Sequence, residues 1–189
     1  MLAELLAEPG VTETAAHNGL VGVMAMHAGL EPATGEIAER VAHAAPASSY
    51  IVTQPHDLAW HVPSTHYDPR ASDRLFRFLD HVRIAVSIHG FGRVDMDDTI
   101  LLGGTNRRLA ADLGAAIAAE TSLRTIVDLD AIPAALRGLD PRNPVNLPEF
   151  GGVQLELSPG ARSGTVRPRL IAAMAGVLAV EQRGLCVTG

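Results

Sequence analysis

The chain has no lysine; all 15 of its basic residues are arginine. Alongside the abundant alanine and glycine this reads as a composition bias, so an arginine here says less about function than it usually does. A single cysteine, Cys186, excludes an internal disulfide and a cysteine zinc knuckle, and points to a reducing compartment. No continuous apolar run reaches the ~18–20 residues that a bilayer span needs, so a soluble protein with no membrane partner is expected. The start, MLAELLAEPG, carries glutamates where an export signal carries a basic region, and the expected location is cytoplasmic. Cationic surplus is missing too: the net charge of −6 and a pI of about 5.7 argue against a nucleic-acid partner. Repeats, low-complexity tracts and linkers are absent, so the 189 residues are read as one domain, 1–189.

What the chain does have is eight histidines. Their setting follows from hydrophobic patterning. GLVGVMAMHA (19–28), RIAVSIHG (83–90), TILLGG (99–104) and GGVQLELS (151–158) read as buried strands, with further strands at SSYIVTQ (48–54), LAWHV (58–62) and TIVDL (125–129). Between them, helices are expected from Thr34 or Gly35, over 69–82, over 105–120 with Thr105 or Asn106 as cap, and over 167–184. Strands alternating with helices predict an α/β domain: three layers, α/β/α, around a mixed, largely parallel sheet. In such sheets sites form beyond the carboxyl ends of the strands.

Two of the strands finish in histidine, at His27 and His89, and four residues after the first comes Glu31 in a loop containing Gly29 and Pro32. Two histidines and a glutamate are a ligand set for catalytic zinc with one position left open; a hydrogen-bonded histidine pair capping the strands is the other reading. In GGVQLELS, Val153, Leu155 and Leu157 alternate with Gln154 and Glu156. Glu156 is either a half-exposed sheet residue or a general base, its pKa held up by desolvation near Leu155 and Leu157. His66 binds metal, contacts substrate or steadies its loop, while His56 and His61 are left outside the metal shell. RVDMDDT lacks the glycine and terminal glutamate of an EF-hand, and GFGRVD is not a dinucleotide fingerprint.

In order, HAGLEPATGEIAE (27–39), SSYIV (48–52), STHYDP (64–69), AVSIHGF (85–91), ILLGGTNRRLA (100–110), PRNPVN (141–146) and GVQLELSPGAR (152–162) span most of the chain, which resembles the zinc-dependent poly-γ-glutamate hydrolases of bacteriophages and bacteria. The resemblance implies a zinc carboxypeptidase-like fold, with zinc on His27, Glu31 and His89 and Glu156 as general base. It implies hydrolysis of γ-glutamyl amide bonds in an anionic polymer. A small N-acyl amino acid or cell-wall peptide as substrate, or a non-catalytic protein on the same fold, are the alternatives. Two departures stand out: the family pattern is HGGGIE where this chain has HAGLE, and it has arginine where this chain has Leu147. An acidic protein needs local cations for a polyanion, and Arg107, Arg162 and Arg142 lie in matching motifs. Arg107, beside Asn106 at a helix start, is the expected carboxylate clamp.

Overall fold

The apolar runs of the sequence form the middle of one seven-stranded sheet in the computed structural model, which describes residues 1–187. In chain order the elements are α1 (Leu2–Leu6), β1 (Thr12–Ala16), β2 (Val21–Ala28), α2 (Thr34–Ala44), β3 (Ser48–Thr53), α3 (Asp73–His81), β4 (Ile84–Gly90), β5 (Thr99–Leu102), α4 (Arg107–Glu120), β6 (Arg124–Ile126), β7 (Gly152–Leu157) and α5 (Arg167–Val187). The sheet order is β1-β3-β2-β4-β7-β5-β6. Strands β3, β2, β4 and β7 run parallel; β1 pairs antiparallel with β3 at one edge, and β5 antiparallel with β7 toward the other.

Two cores cover the two faces, giving the expected three-layer α/β/α fold. Val21, Val23, Ala25, Val86, Ile88, Val153, Leu155 and Leu157 pack under α2, α4 and α5. On the other face Met24, Met26, Tyr50, Val52 and Ala85 meet Leu2 and Leu5 of α1 and Leu75 and Phe78 of α3. Burial on both faces explains why β2 is almost wholly apolar rather than alternating; β7 is equally buried but keeps Gln154 and Glu156 on one of its faces.

The sequence reading needs four corrections. α1 and β1 were not anticipated, because one is five residues long and the other is an edge strand with three of its five residues exposed. LAWHV (58–62) is not a strand: Trp60 pairs instead with the side chain of Gln54, whose amide accepts its N–H at 2.9 Å and donates to its carbonyl at 3.0 Å. The helix expected over 69–82 starts at Asp73, capped by the Ser72 hydroxyl accepting the Leu75 N–H. Finally, α5 is long and apolar enough by composition to cross a bilayer, because alanine and glycine fill the gaps between its larger residues. Its Leu170, Ile171, Met174 and Leu178 bury in the core shared with α2 and α4.

Candidate metal centre

β2 and β4 lie side by side and parallel, so their carboxyl ends bring two histidines together. Regular alternation would point His27 the same way as Val23 and Ala25, into the core beneath α2. A bulge prevents this: Ala25 pairs with Ile51 but Ala28 with Thr53, so β2 spends one extra residue there. The bulge turns His27 onto the opposite face, where Ser87 and His89 of β4 and Gln154 and Glu156 of β7 already point. The register supports this grouping, since Ser87 pairs with Gln154 and His89 with Glu156.

After β2 the chain doubles back within HAGLE, and the Glu31 N–H donates to the His27 carbonyl at 2.8 Å. Gly29 makes the turn possible: its φ is +86°, and a Cβ there would lie 1.9 Å from the Gln54 carbonyl oxygen. The short loop therefore delivers the Glu31 carboxylate to the histidines. Its Oε1 is 3.0 Å from His27 Nδ1, its Oε2 is 3.7 Å from His89 Nδ1, and the two Nδ1 atoms are 3.2 Å apart. Oε2 also accepts the Gly90 N–H at 2.9 Å.

Counting protons tests whether these residues suit a metal. The Val62 carbonyl, 2.8 Å from His27 Nε2, can only accept, so that nitrogen carries the hydrogen. In the neutral ring the Nδ1 lone pair then faces both a carboxylate oxygen and a second imidazole nitrogen. His89 Nε2 is engaged by the Ser87 hydroxyl at 2.7 Å. Three donor atoms thus converge within 4.8 Å, each histidine held from behind through its other nitrogen, which is how proteins orient metal-binding imidazoles. The group fits a divalent cation.

Electrostatics agree. Burial pushes the His89 pKa down to about 4, against the pull of the Glu31 charge, so the ring is neutral and free to ligate at pH 7. Burial alone would raise Glu31, but the His27 hydrogen bond, the electrostatic interaction with the two imidazoles and the Gly90 N–H outweigh it and hold the carboxyl below its usual range. Glu156 goes the other way: burial first, then the Glu31 charge, push it up to about 8. Leu155 and Leu157 do not cause this, because they point through the sheet into the other core. The apolar neighbour on its own face is Leu101 of β5, the cross-strand partner of Glu156.

These residues line a cavity of about 380 Å³, together with His61 and, from the stretch before β7, Leu136, Gly138, Asp140 and Asn143 among others. His61, which the sequence reading left outside the metal shell, has its ring centroid 4.7 Å from that of His27. No spacing rule signals it, since the segment carrying it is irregular. His66 ends a short 3₁₀ turn, is exposed and is not among the cavity-lining residues. Arg162 is not among the lining residues but packs against one of them: a Cβ on Gly90 would lie 2.9 Å from its guanidinium carbon, and its Nη1 donates to the Pro32 carbonyl at 3.0 Å. Arg142 is folded onto Asp140, 2.8 Å away.

Asn106 and Arg107 are not brought to this cavity. They follow β5, which runs antiparallel to β7, so the start of α4 lies at the other end of the sheet, near Gly152. Asn106 caps α4 by accepting the Leu109 N–H, and Arg107 donates to the carbonyls of Gly104 and Val127. The expected clamp, Arg107 beside Asn106 at a helix start, followed from a place near a strand's carboxyl end, and the antiparallel β5 puts that end at the far end of the sheet.

No curated protein sequence matches the chain. Among solved structures, a bacteriophage poly-gamma-glutamate hydrolase superposes with a TM-score of 0.73 at 24% identity, over 93% of this chain and 91% of that one. The apo, zinc-free form of YNDL superposes with a TM-score of 0.77 at 23% identity, over 89% of each chain. At these identities the likeness is one of fold. The sequence model of one family, however, matches residues 3–168, which include every residue of the convergent cluster. The chain belongs to the poly-gamma-glutamate hydrolase family.

Proposed function

We propose that this protein is a zinc-dependent amide hydrolase that cleaves γ-glutamyl bonds of poly-γ-glutamate or a related γ-linked substrate. The observation that carries the reading is the convergence of His27 Nδ1, His89 Nδ1 and the Glu31 carboxylate next to a buried Glu156. Two histidines and one carboxylate suit catalytic zinc, whose fourth position stays open. Held by His27, Glu31 and His89, a zinc ion would supply Lewis acidity for the amide carbonyl and would lower the pKa of water from 15.7 to about 7.

The chain's own groups supply the rest. Glu156, the cross-strand neighbour of His89, takes the proton of the attacking water and delivers it to the leaving nitrogen. Its raised pKa suits that exchange near neutral pH, and the added positive charge of the metal opposes the rise. Ser87 and the Val62 carbonyl keep the two imidazoles aimed during the reaction. Arg162, half-buried and under the influence of the Glu31 and Glu156 charges, supplies a cation for a substrate carboxylate.

Among the described residues no arginine is part of the cavity lining itself, and this favours a second substrate reading, a short γ-linked peptide or small N-acyl amino acid. Comparing a long polymer with γ-linked dimers separates the two. For the leading reading, purified protein should hold about one zinc and lose cleavage of poly-γ-glutamate in chelator. Glu156→Gln should lower kcat by ~10²–10⁴-fold while zinc stays bound. Full activity in that variant would refute the base assignment.

A further inference from the structure

Glu156 has a second neighbour on its own strand that the reaction scheme above leaves unused. Gln154 Nε2 donates to Glu156 Oε1 at 2.8 Å, and Gln154 Oε1 accepts from Asn143 Nδ2 at 2.7 Å. All three side chains are buried, at 3% exposure for Asn143 and 5% for each of the others. The relay continues one step: Asn143 Oδ1 faces the backbone N–H of Val145 at 3.4 Å.

A carboxamide is nearly symmetric in shape and opposite in polarity at its two ends, so a buried glutamine beside a carboxylate must be told which end to present. Here the instruction comes from the backbone. The Val145 N–H cannot change sign, so it sets Asn143 with oxygen toward itself and nitrogen toward Gln154. Asn143 in turn sets Gln154 with nitrogen toward Glu156. The segment also clamps the glutamine by shape: a Cβ on Gly138, where φ is +62°, would lie 2.6–2.7 Å from the Gln154 side chain. Asn146 Nδ2 holds that segment by donating to the carbonyls of Gly138 and Asp140 at 2.7 and 3.1 Å.

We propose that Gln154 and Asn143 are positioning residues that fix the orientation of the general base, engaging Oε1 of Glu156 so that Oε2 faces the water to be deprotonated. This rests on Glu156 being the base. Both residues border the cavity, but the role assigned here acts through Glu156, so its effect falls on kcat rather than on KM. A misplacement of about 1 Å at a reacting group costs roughly 10²-fold, which bounds the expected loss.

The test uses two substitutions at Asn143 that a packing role and a polarity role rank in opposite order. Asn143→Asp keeps size and the oxygen facing Val145 but offers an acceptor to Gln154, inverting its amide so that oxygen meets Glu156. Asn143→Ala removes the instruction and leaves a gap. With zinc content and melting temperature measured on each protein, kcat should fall by ~3–10-fold in Asn143→Ala and further in Asn143→Asp, with KM unchanged in both. Gln154→Met, similar in shape and without a donor, should lower kcat by ~10–100-fold at full zinc occupancy. An Asp variant more active than the Ala variant, or losses confined to KM or zinc content, would overturn the relay. The Glu156→Gln measurement stands apart: if that protein keeps its rate, the base reading fails first, whatever the order at Asn143.

Discussion

At the carboxyl ends of β2, β4 and β7, a cavity of about 380 Å³ holds His27, Glu31, His89 and Glu156. At the opposite end, beside Ile84 at the start of β4, a roomier concavity of about 540 Å³ is lined by Asn106, Arg107, Arg108 and Phe150. The larger hollow looks the better anion site by composition, with a helix start and two arginines. Yet its groups are spoken for: Arg107 donates to backbone carbonyls, and Arg108 is paired with Glu181 at 2.6 Å and Asp112 at 2.9 Å. In the smaller cavity the histidine and carboxylate lone pairs face one another with too few protons between them. Size and charge count are therefore poor guides, and unsatisfied convergence in a buried place is the better one.

Substitutions at the two ends put that contrast at risk. His89→Ala should have the largest effect, removing a ligand and lowering both zinc occupancy and turnover by ~10³-fold or more; metal analysis with kinetics checks it. Ser87→Ala strips the support behind that imidazole and should weaken zinc binding by ~10–100-fold, read by competition with a chelator. Glu156 offers a test without metal. Its folded pKa of about 8 lies above the unfolded value near 4.5, so the neutral carboxyl favours the folded state fully at low pH. That contribution is lost as pH rises from about 4.5 through 8, while the lowered His89 pKa works the other way below about 6.5, so the readout is the difference between proteins. From pH 5 to pH 8 the metal-free protein should lose several degrees of melting temperature relative to Glu156→Gln. The smallest effect belongs to the other end. Arg107→Ala should leave kcat/KM within about twofold and cost ~1 kcal/mol of stability for its lost hydrogen bonds. A large activity loss there would dissolve the distinction between the two ends.

Much of this was legible in the chain. β2 and β4 announced themselves because strands buried on both faces are continuous apolar runs, and a histidine ending such a run is conspicuous, while β7 showed itself by alternation. Glu31 and Glu156 were readable for the same reason, as single acids in apolar or turning segments. Strand direction was not, because nothing in TILL says which way β5 pairs, and Arg107 was assigned to the wrong end on that account. His61 was missed because its place beside His27 depends on Gln54 holding Trp60, a side-chain contact with no periodic signature. Leu101 was missed as the neighbour of Glu156 since cross-strand partners are a tertiary fact.

The irregularity between Ala25 and Ala28 has a consequence for how this chain tolerates change. Deleting one residue there would give a tidier strand, flush with its neighbours and free of any kink. The same deletion would swing the first imidazole through the sheet, into alkyl packing among the helices, and leave the second facing an empty corner. A variant selected only for thermal endurance could accept that repair, and it would come out well folded and chemically inert.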